Sequence, residues 1–214
     1  MNRPRNNYFA FERRDILRLL PPSQRLERVL DVGCGGGATA RLLKREYGAR
    51  SVVGVERDER AAARATAVMD RIFVLDAEVE ELPFSQERFD LILMADVLEH
   101  LLDPWIALQR YARMLGPHGL LLASVPNVQH WSVSLKLLSG RWAYGEGGLL
   151  DRTHLRFFTR RSILYLFSQA GLMVEAMKSR MGPEVKIINA LTGGLLRGLL
   201  TYQYLIRAKV ADAI

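Results

Sequence analysis

Val29-Leu30-Asp31-Val32-Gly33-Cys34-Gly35-Gly36-Gly37-Ala38-Thr39-Ala40-Arg41-Leu42-Leu43 reads as a buried strand, a glycine turn and an opening helix in immediate succession. Gly33 and Gly35 lack a Cβ, so the chain turns sharply there and comes close to a ligand, while the following helix points unpaired N–H groups toward it. Gly33, Gly35 and Ala38 also satisfy the G-x-G-x-x-G/A spacing of a dinucleotide turn, in which a pyrophosphate sits on the helix N-terminus. Asp31 separates the two readings. A carboxylate at the strand end repels a pyrophosphate and attracts an ammonium, favouring a zwitterionic, phosphate-free ligand such as an amino-acid-bearing nucleoside.

Outward from this turn, apolar runs alternate with helical patterns: strand 28–32, helix 38–47, strand 51–55, helix 58–68 and strand 72–75. The alternation resumes with a strand at 89–94, a helix at 104–115 and a strand at 119–125. Near-continuous apolar strands imply burial on both faces, and right-handed crossovers place helices on both sides of a mainly parallel sheet. Ligands then gather at the carboxyl ends of the strands. Residues 9–20 predict a leading helix stopped by Pro21-Pro22, and 160–170 a helix stopped by Gly171. Stretches 172–180 and 201–210 read as an antiparallel edge pair, separated by an apolar helical segment near 185–198.

A chain of 214 residues, 49% hydrophobic and 25% charged, can bury one substantial core. The net charge of +7 suits an acidic partner, but Lys and Arg are scattered, and short clusters such as Arg13-Arg14 and Arg160-Arg161 read as solvated surface. One cysteine forms no internal disulfide, and no leader pattern opens the chain, so cytoplasmic residence is the expectation. The apolar segment from Ile187 to Ile206 raises a membrane question, but Gly193, Gly194, Arg197 and Gly198 interrupt any spanning run; a buried or peripheral helix is expected.

Glu56 ends the second strand, where an acid can accept both hydroxyl hydrogens of a ribose; the alternative is a helix-capping acid, a role that Asp58 already supplies. Asp31-Val32-Gly33-Cys34-Gly35-Gly36-Gly37 resembles the D-x-G-x-G-x-G signature of class I S-adenosylmethionine-dependent methyltransferases. Leu82-Pro83-Phe84, Phe89-Asp90-Leu91-Ile92 and Asp96-Val97-Leu98-Glu99-His100-Leu101 resemble the fourth-strand region of the same family, so the likeness covers residues 28–126.

The resemblance implies an α/β, Rossmann-like, doubly wound fold: a mainly parallel seven-stranded sheet with an antiparallel C-terminal edge strand and helices on both faces. It implies S-adenosylmethionine as cofactor, released as S-adenosylhomocysteine. It places Asp31, Gly33, Cys34, Gly35, Gly37, Glu56 and Arg57 around the cofactor, with Asp76 accepting from the adenine amine and Ala77 offering a backbone N–H. Ala95 and Asp96 then lie beside the methionine part, while Asp90 is read as structural and Cys34 as a small packing residue rather than a nucleophile. Residues 1–214 are read as one methyltransferase domain: a helical cap (1–22), a cofactor-binding core (28–126), a substrate lid (127–159), and a C-terminal helix with edge strands (160–214).

Val125-Pro126-Asn127-Val128 and Leu150-Asp151-Arg152-Thr153-His154-Leu155-Arg156-Phe157-Phe158-Thr159 resemble a bacterial subgroup that modifies glycans, lipid precursors or quinone-like acceptors. This implies that Asp151 and His154 bring an acid and a base to the acceptor side. Imidazole, with a pKa near 6.5, suits removal of a hydroxyl proton at neutral pH. His154 is the expected base, with a structural role as its rival; His130 is the second choice and His118 a turn residue. Glu99 and His100 read equally as a base with its orienter or as a capping network. No required metal is expected, since only a loose carboxylate-histidine site near Glu99 and His100 is conceivable.

The expected activity is O-methylation of a small-molecule, glycan or lipid-linked acceptor. A noncatalytic S-adenosylmethionine-binding regulator and a nucleic-acid methyltransferase are the alternatives. Nucleic acid is not expected as a partner, because Asp96 is followed by Val97-Leu98-Glu99 rather than by a Pro-Pro-aromatic base-flipping signature. A homodimer and a peripheral membrane contact are compatible with the sequence.

Overall fold

A computed structural model describes residues 11–78 and 81–211. The alternation read from the sequence becomes β1 (Arg28–Val32), α2 (Ala38–Tyr47), β2 (Ser51–Glu56), α3 (Glu59–Ala65) and β3 (Arg71–Val74), preceded by a single turn of helix, α1 (Arg14–Leu17). It continues with β4 (Phe89–Ala95), a 3-10 turn at Leu98–His100, α4 (Pro104–Ala112) and β5 (Leu115–Pro126). Then follow α5 (Trp131–Leu138), α6 (Arg160–Gln169), β6 (Leu172–Arg180), α7 (Pro183–Leu191), α8 (Arg197–Leu200) and β7 (Gln203–Val210).

The seven strands lie in the order β3-β2-β1-β4-β5-β7-β6, parallel from β3 to β5. β7 runs antiparallel between β5 and the outermost strand β6, so the reversed C-terminal strand lies one place in from the edge. Alternate residues of each central strand enter opposite cores. Leu30, Ile92 and Leu121 pack with Leu108, Tyr111, Ile163 and Phe167 of α4 and α6, whereas Val29, Leu91 and Leu122 pack with Ile16, Leu17, Leu42 and Leu43 of α1 and α2. Period-2 sidedness buried on both faces is what the unbroken apolar strands require.

Chain order reverses between β1 and β4, and there the carboxyl ends of the strands open a cleft. Three sequence expectations change locally. The leading helix shrinks to one turn because Arg13, at its N-terminal end, is drawn to Thr39 Oγ1 through its N–H and to Asp96 through its side chain; residues 1–10 lie outside the described ones. The stretch expected to be an irregular lid contains the two-turn helix α5, whose apolar residues mostly face outward and so leave no buried stripe to read. The apolar segment 185–198 breaks into α7 and α8 because Gly193 and Gly194 take left-handed φ values of 59° and 82°. Among the described residues no helix is long and apolar enough to cross a membrane.

Candidate functional site

The cleft has a volume of about 780 Å³, within the range of small-molecule sites, and is lined from both sides of the β1/β4 reversal. Its floor is the glycine turn. Gly33 has φ +70° and its amide donates to the Val55 carbonyl (2.8 Å); a Cβ there would sit 2.8 Å from Val97 Cγ2, so the turn tolerates no side chain. Gly37, at φ +77°, opens α2.

Three parallel strands end in carboxylates on this floor. Asp31 is 3% exposed, and its Oδ2 has no hydrogen-bond partner. Burial, then the neighbouring Glu56 carboxylate, pushes its pKa up to about 7, against the pull of Arg13. Glu56 is buried; Oε2 accepts from Gly35 N–H and Oε1 from Asp58 N–H, both at 2.9 Å, which fixes the carboxylate while each oxygen keeps accepting capacity. Asp58 itself caps α3 through Ala61 N–H (2.8 Å), so the cap is supplied without Glu56. Asp76 accepts from Glu78 N–H at 2.9 Å, and the Ala77 carbonyl accepts from Tyr111 Oη–H. Arg57, Ala77, Ala95 and Asp96 also line the cleft. Cys34 lines it too, but burial, reinforced by Asp31 and Glu56, pushes its thiol far up, as suits a packing residue. Asp90 accepts Arg28 N–H at the opposite end of the sheet.

Arg13 is the residue that sequence reasoning missed. Read with Arg14 as solvated surface, it is instead 7% exposed, with Nη1 2.7 Å from Asp96 Oδ2 and Nη2 3.0 Å from Ser124 Oγ. Burial opposes its charge, but Asp96 and Asp15 more than compensate and raise its pKa. Asp96 holds a left-handed φ of 59°, a strained position for a residue with a side chain. Ser124 hydroxyl and Gln203 amide both donate to its Oδ1, so β5 and β7 reach across to hold it. No local signal marks Arg13; its partner is remote in sequence.

The opposite wall is made by loops. The Glu99 carbonyl accepts from Leu155 N–H (2.8 Å) and Arg156 N–H (3.0 Å), latching the 151–156 loop to the 3-10 turn. Asp151 Oδ1 accepts from the N–H and hydroxyl of Thr153; burial alone would raise its carboxyl, but these bonds bring it below the usual range. His154 is oriented by the Leu149 carbonyl, which takes the Nδ1 proton at 3.2 Å and leaves Nε2 with the lone pair. Burial, then the His100 ring, lowers the pKa of His154. The His100 and His154 rings stand 4.9 Å apart and nearly perpendicular. Glu99, His100 and His154 each bring one donor atom within 4.8 Å of the others. Asp151 and His154 thus share the cleft lining, whereas His130 caps α5, packs on Trp131 and Tyr202, and does not line the cleft.

A family model described as a methyltransferase domain matches residues 4–176. A probable S-adenosylmethionine-dependent methyltransferase of Mycobacterium tuberculosis is 29% identical over 88% of this chain and 64% of its own length. A ubiquinone biosynthesis O-methyltransferase of Bradyrhizobium diazoefficiens is 36% identical over 54% of this chain and 46% of its own length. The chain thus spans about half to two-thirds of the relatives it matches. A solved S-adenosylmethionine-dependent methyltransferase from Archaeoglobus fulgidus superposes with TM-score 0.64 at 20% identity, covering 96% of this chain and 94% of that one.

Proposed function

Given that the chain belongs to the S-adenosylmethionine-dependent methyltransferases, we propose that it moves the methyl group to a hydroxyl oxygen of a small acceptor carrying an apolar part. The observation that carries this reading is the division of the cleft. Carboxylates at three successive strand ends face an imidazole whose Nδ1 is tied to a backbone carbonyl and whose Nε2 is left basic.

On the cofactor side, Glu56 takes the ribose hydroxyls, Asp76 and the Ala77 N–H take the adenine edge, and Asp31 takes the ammonium. The sulfonium already activates the methyl, so alignment of acceptor, carbon and sulfur supplies most of the catalysis. The acceptor oxygen forms its bond to the methyl carbon as the carbon–sulfur bond breaks with its electron pair on sulfur, and His154 Nε2 receives the hydroxyl proton. Because burial and His100 hold its pKa low, His154 is neutral and ready to accept at pH 7.

An apolar acceptor is supported by the outer rim. Trp142, Tyr144 and Phe157 form a ring cluster beside the 145–151 loop. Leu138, Leu191 and Leu195 are also exposed, with exposed Lys136, Arg141, Lys186 and Arg197 in the same segments. Exposed leucines among cations favour a lipid-linked or quinone-like acceptor met at a peripheral membrane surface. The relative named for ubiquinone biosynthesis is in keeping with that class. The test is a methyl-transfer screen with isotopically labelled S-adenosylmethionine over phenols, polyprenylated phenols and glycans, read by mass spectrometry. Labelled product from phenolic acceptors only is expected. Absence of any calorimetric binding of S-adenosylhomocysteine would sink the proposal, as would transfer confined to nucleic acid.

A further inference from the structure

Glu99, His100 and His154 are in excess of what a general base requires, and their chemistry converges. One donor atom from each, a carboxylate oxygen and two imidazole nitrogens, lies within 4.8 Å of the others. Both imidazoles have the Nδ1 proton committed to a backbone carbonyl, His100 to Thr153 (3.1 Å) and His154 to Leu149 (3.2 Å). A carbonyl only accepts, so in the neutral ring it is Nε2 that carries the lone pair, and a backbone carbonyl holding the remote N–H is how proteins orient metal-bound imidazoles. Glu99 is 1% exposed, and its Oε2 has no hydrogen-bond partner. A bare carboxylate oxygen in a dry site is costly unless a cation or a proton meets it. Arg13 bears on Glu99 but is engaged by Asp15, Asp96 and Ser124. Asp96 and Asp151 add negative potential at His154.

We propose that Glu99, His100 and His154 form a binding site for one divalent transition-metal ion, of the Mn²⁺, Fe²⁺, Co²⁺ or Zn²⁺ class, at the acceptor end of the cleft. One carboxylate and two imidazoles match that class, whereas Mg²⁺ and Ca²⁺ prefer all-oxygen ligands. Metal–ligand bonds of about 2.1 Å would bring the donors to about 3–4 Å apart, a closure of about an ångström. Three protein ligands leave coordination positions open for the acceptor. An ion-bound hydroxyl loses its proton to solvent more readily, and its oxygen takes the methyl as the carbon–sulfur bond breaks, giving the methyl ether, the thioether and the released proton. In that state His154 is a ligand, and the ion takes over acidification of the hydroxyl. This role of the ion rests on the methyl-transfer reading above; the site itself rests on its three ligands, and it departs from the expectation of no required metal.

The test uses the full chain after dialysis against a chelator. Mn²⁺ is titrated and followed by loss of the free-ion electron paramagnetic resonance signal, Co²⁺ is followed by its visible absorption, and S-adenosylhomocysteine binding is measured by calorimetry on each sample. Expected are about one ion per chain and at least ~10-fold weaker binding in each of Glu99→Gln, His100→Gln and His154→Gln. S-adenosylhomocysteine affinity should stay within about 3-fold, which also shows that the variants fold. Absence of saturable Mn²⁺ and Co²⁺ binding by the native chain up to about 1 mM overturns the site. So does ion binding that persists unchanged in all three variants. Ion binding without cofactor binding keeps the site and removes the methyl-transfer reading.

Discussion

The two halves of the cleft are built by different means. On the cofactor side each functional group sits at the end of a parallel strand or in the turn that follows: Asp31 in β1, Gly33 in the turn, Glu56 closing β2. Their positions follow from backbone register, because β1 pairs with β2 so that Asp31 faces Gly54 and Val32 faces Val55. On the acceptor side Glu99, His100, Asp151 and His154 stand on loops joined by bonds across more than fifty positions, such as Leu155 N–H to the Glu99 carbonyl and His100 to the Thr153 carbonyl. The difference teaches that chemistry on regular elements is specified locally, whereas chemistry on loops depends on distant partners.

The largest effect that would break this contrast is expected at Gly33. A left-handed φ of +70° with Val97 Cγ2 2.8 Å from any Cβ leaves Gly33→Val facing both backbone strain and a clash. Together these cost about 2–5 kcal/mol. Calorimetry with S-adenosylhomocysteine should show affinity lower by at least ~100-fold, with a reduced melting temperature. Native affinity would mean that the backbone turn does not define the cofactor half.

Next in size is Arg13, which couples the halves. Removing one partner of a pair in which Arg13 is 7% exposed leaves Asp96 without its buried cation and costs about 3 kcal/mol in urea unfolding. In Arg13→Ala the midpoint falls; adding Asp96→Ala should destabilise by clearly less than the sum, with a coupling of about 1–3 kcal/mol. Additive losses would show that Arg13 acts only as packing.

How far each half was legible follows the same division. The strand–turn–helix, the alternating order and the acids at strand ends were readable because periodicity and glycine placement report on backbone geometry. Asp151 and His154 were readable as residue types, but Asp151 binds Thr153, and it is the Leu149 carbonyl that orients His154. No local pattern encodes such a carbonyl partner. Arg13 was hidden by its charge, which reads as solvated until a partner eighty-three residues away appears. The helix α5 was hidden for the opposite reason: its leucines face outward.

A smaller effect sharpens the contrast through pH. With its pKa at about 7, Asp31 carries a proton in the free chain below that pH, and a cofactor ammonium must displace it. S-adenosylmethionine affinity should therefore fall by about 10-fold per pH unit below about 7 and level off above it. Calorimetry in buffers of different ionisation enthalpy should find proton release at pH 6 and little at pH 8.5 or so. Stability of the free chain moves the other way. Because the folded pKa exceeds the ordinary 3.8, this group's contribution is fully present below about 3.8 and is lost as pH rises through about 7. A pH-independent affinity would place the ammonium away from Asp31.

The smallest expected effect is that of His130, and it separates two histidines of equal intrinsic chemistry. His130 accepts Ser132 N–H at the start of α5 and packs against Trp131 and Tyr202 without lining the cleft, whereas His154 lines it. His130→Gln should leave kcat within about 2-fold, while His154→Gln should lower it by at least ~100-fold whether that ring takes the proton itself or holds an ion that acidifies the hydroxyl. The reverse ranking would mean that the acceptor enters from the α5 side, past Tyr202, and that the wall formed by Glu99, His100 and His154 supports the loop rather than the reaction. Because the 151–156 loop is placed by its long-range bonds to the Glu99 carbonyl, this ranking tests the half of the cleft that local sequence does not determine.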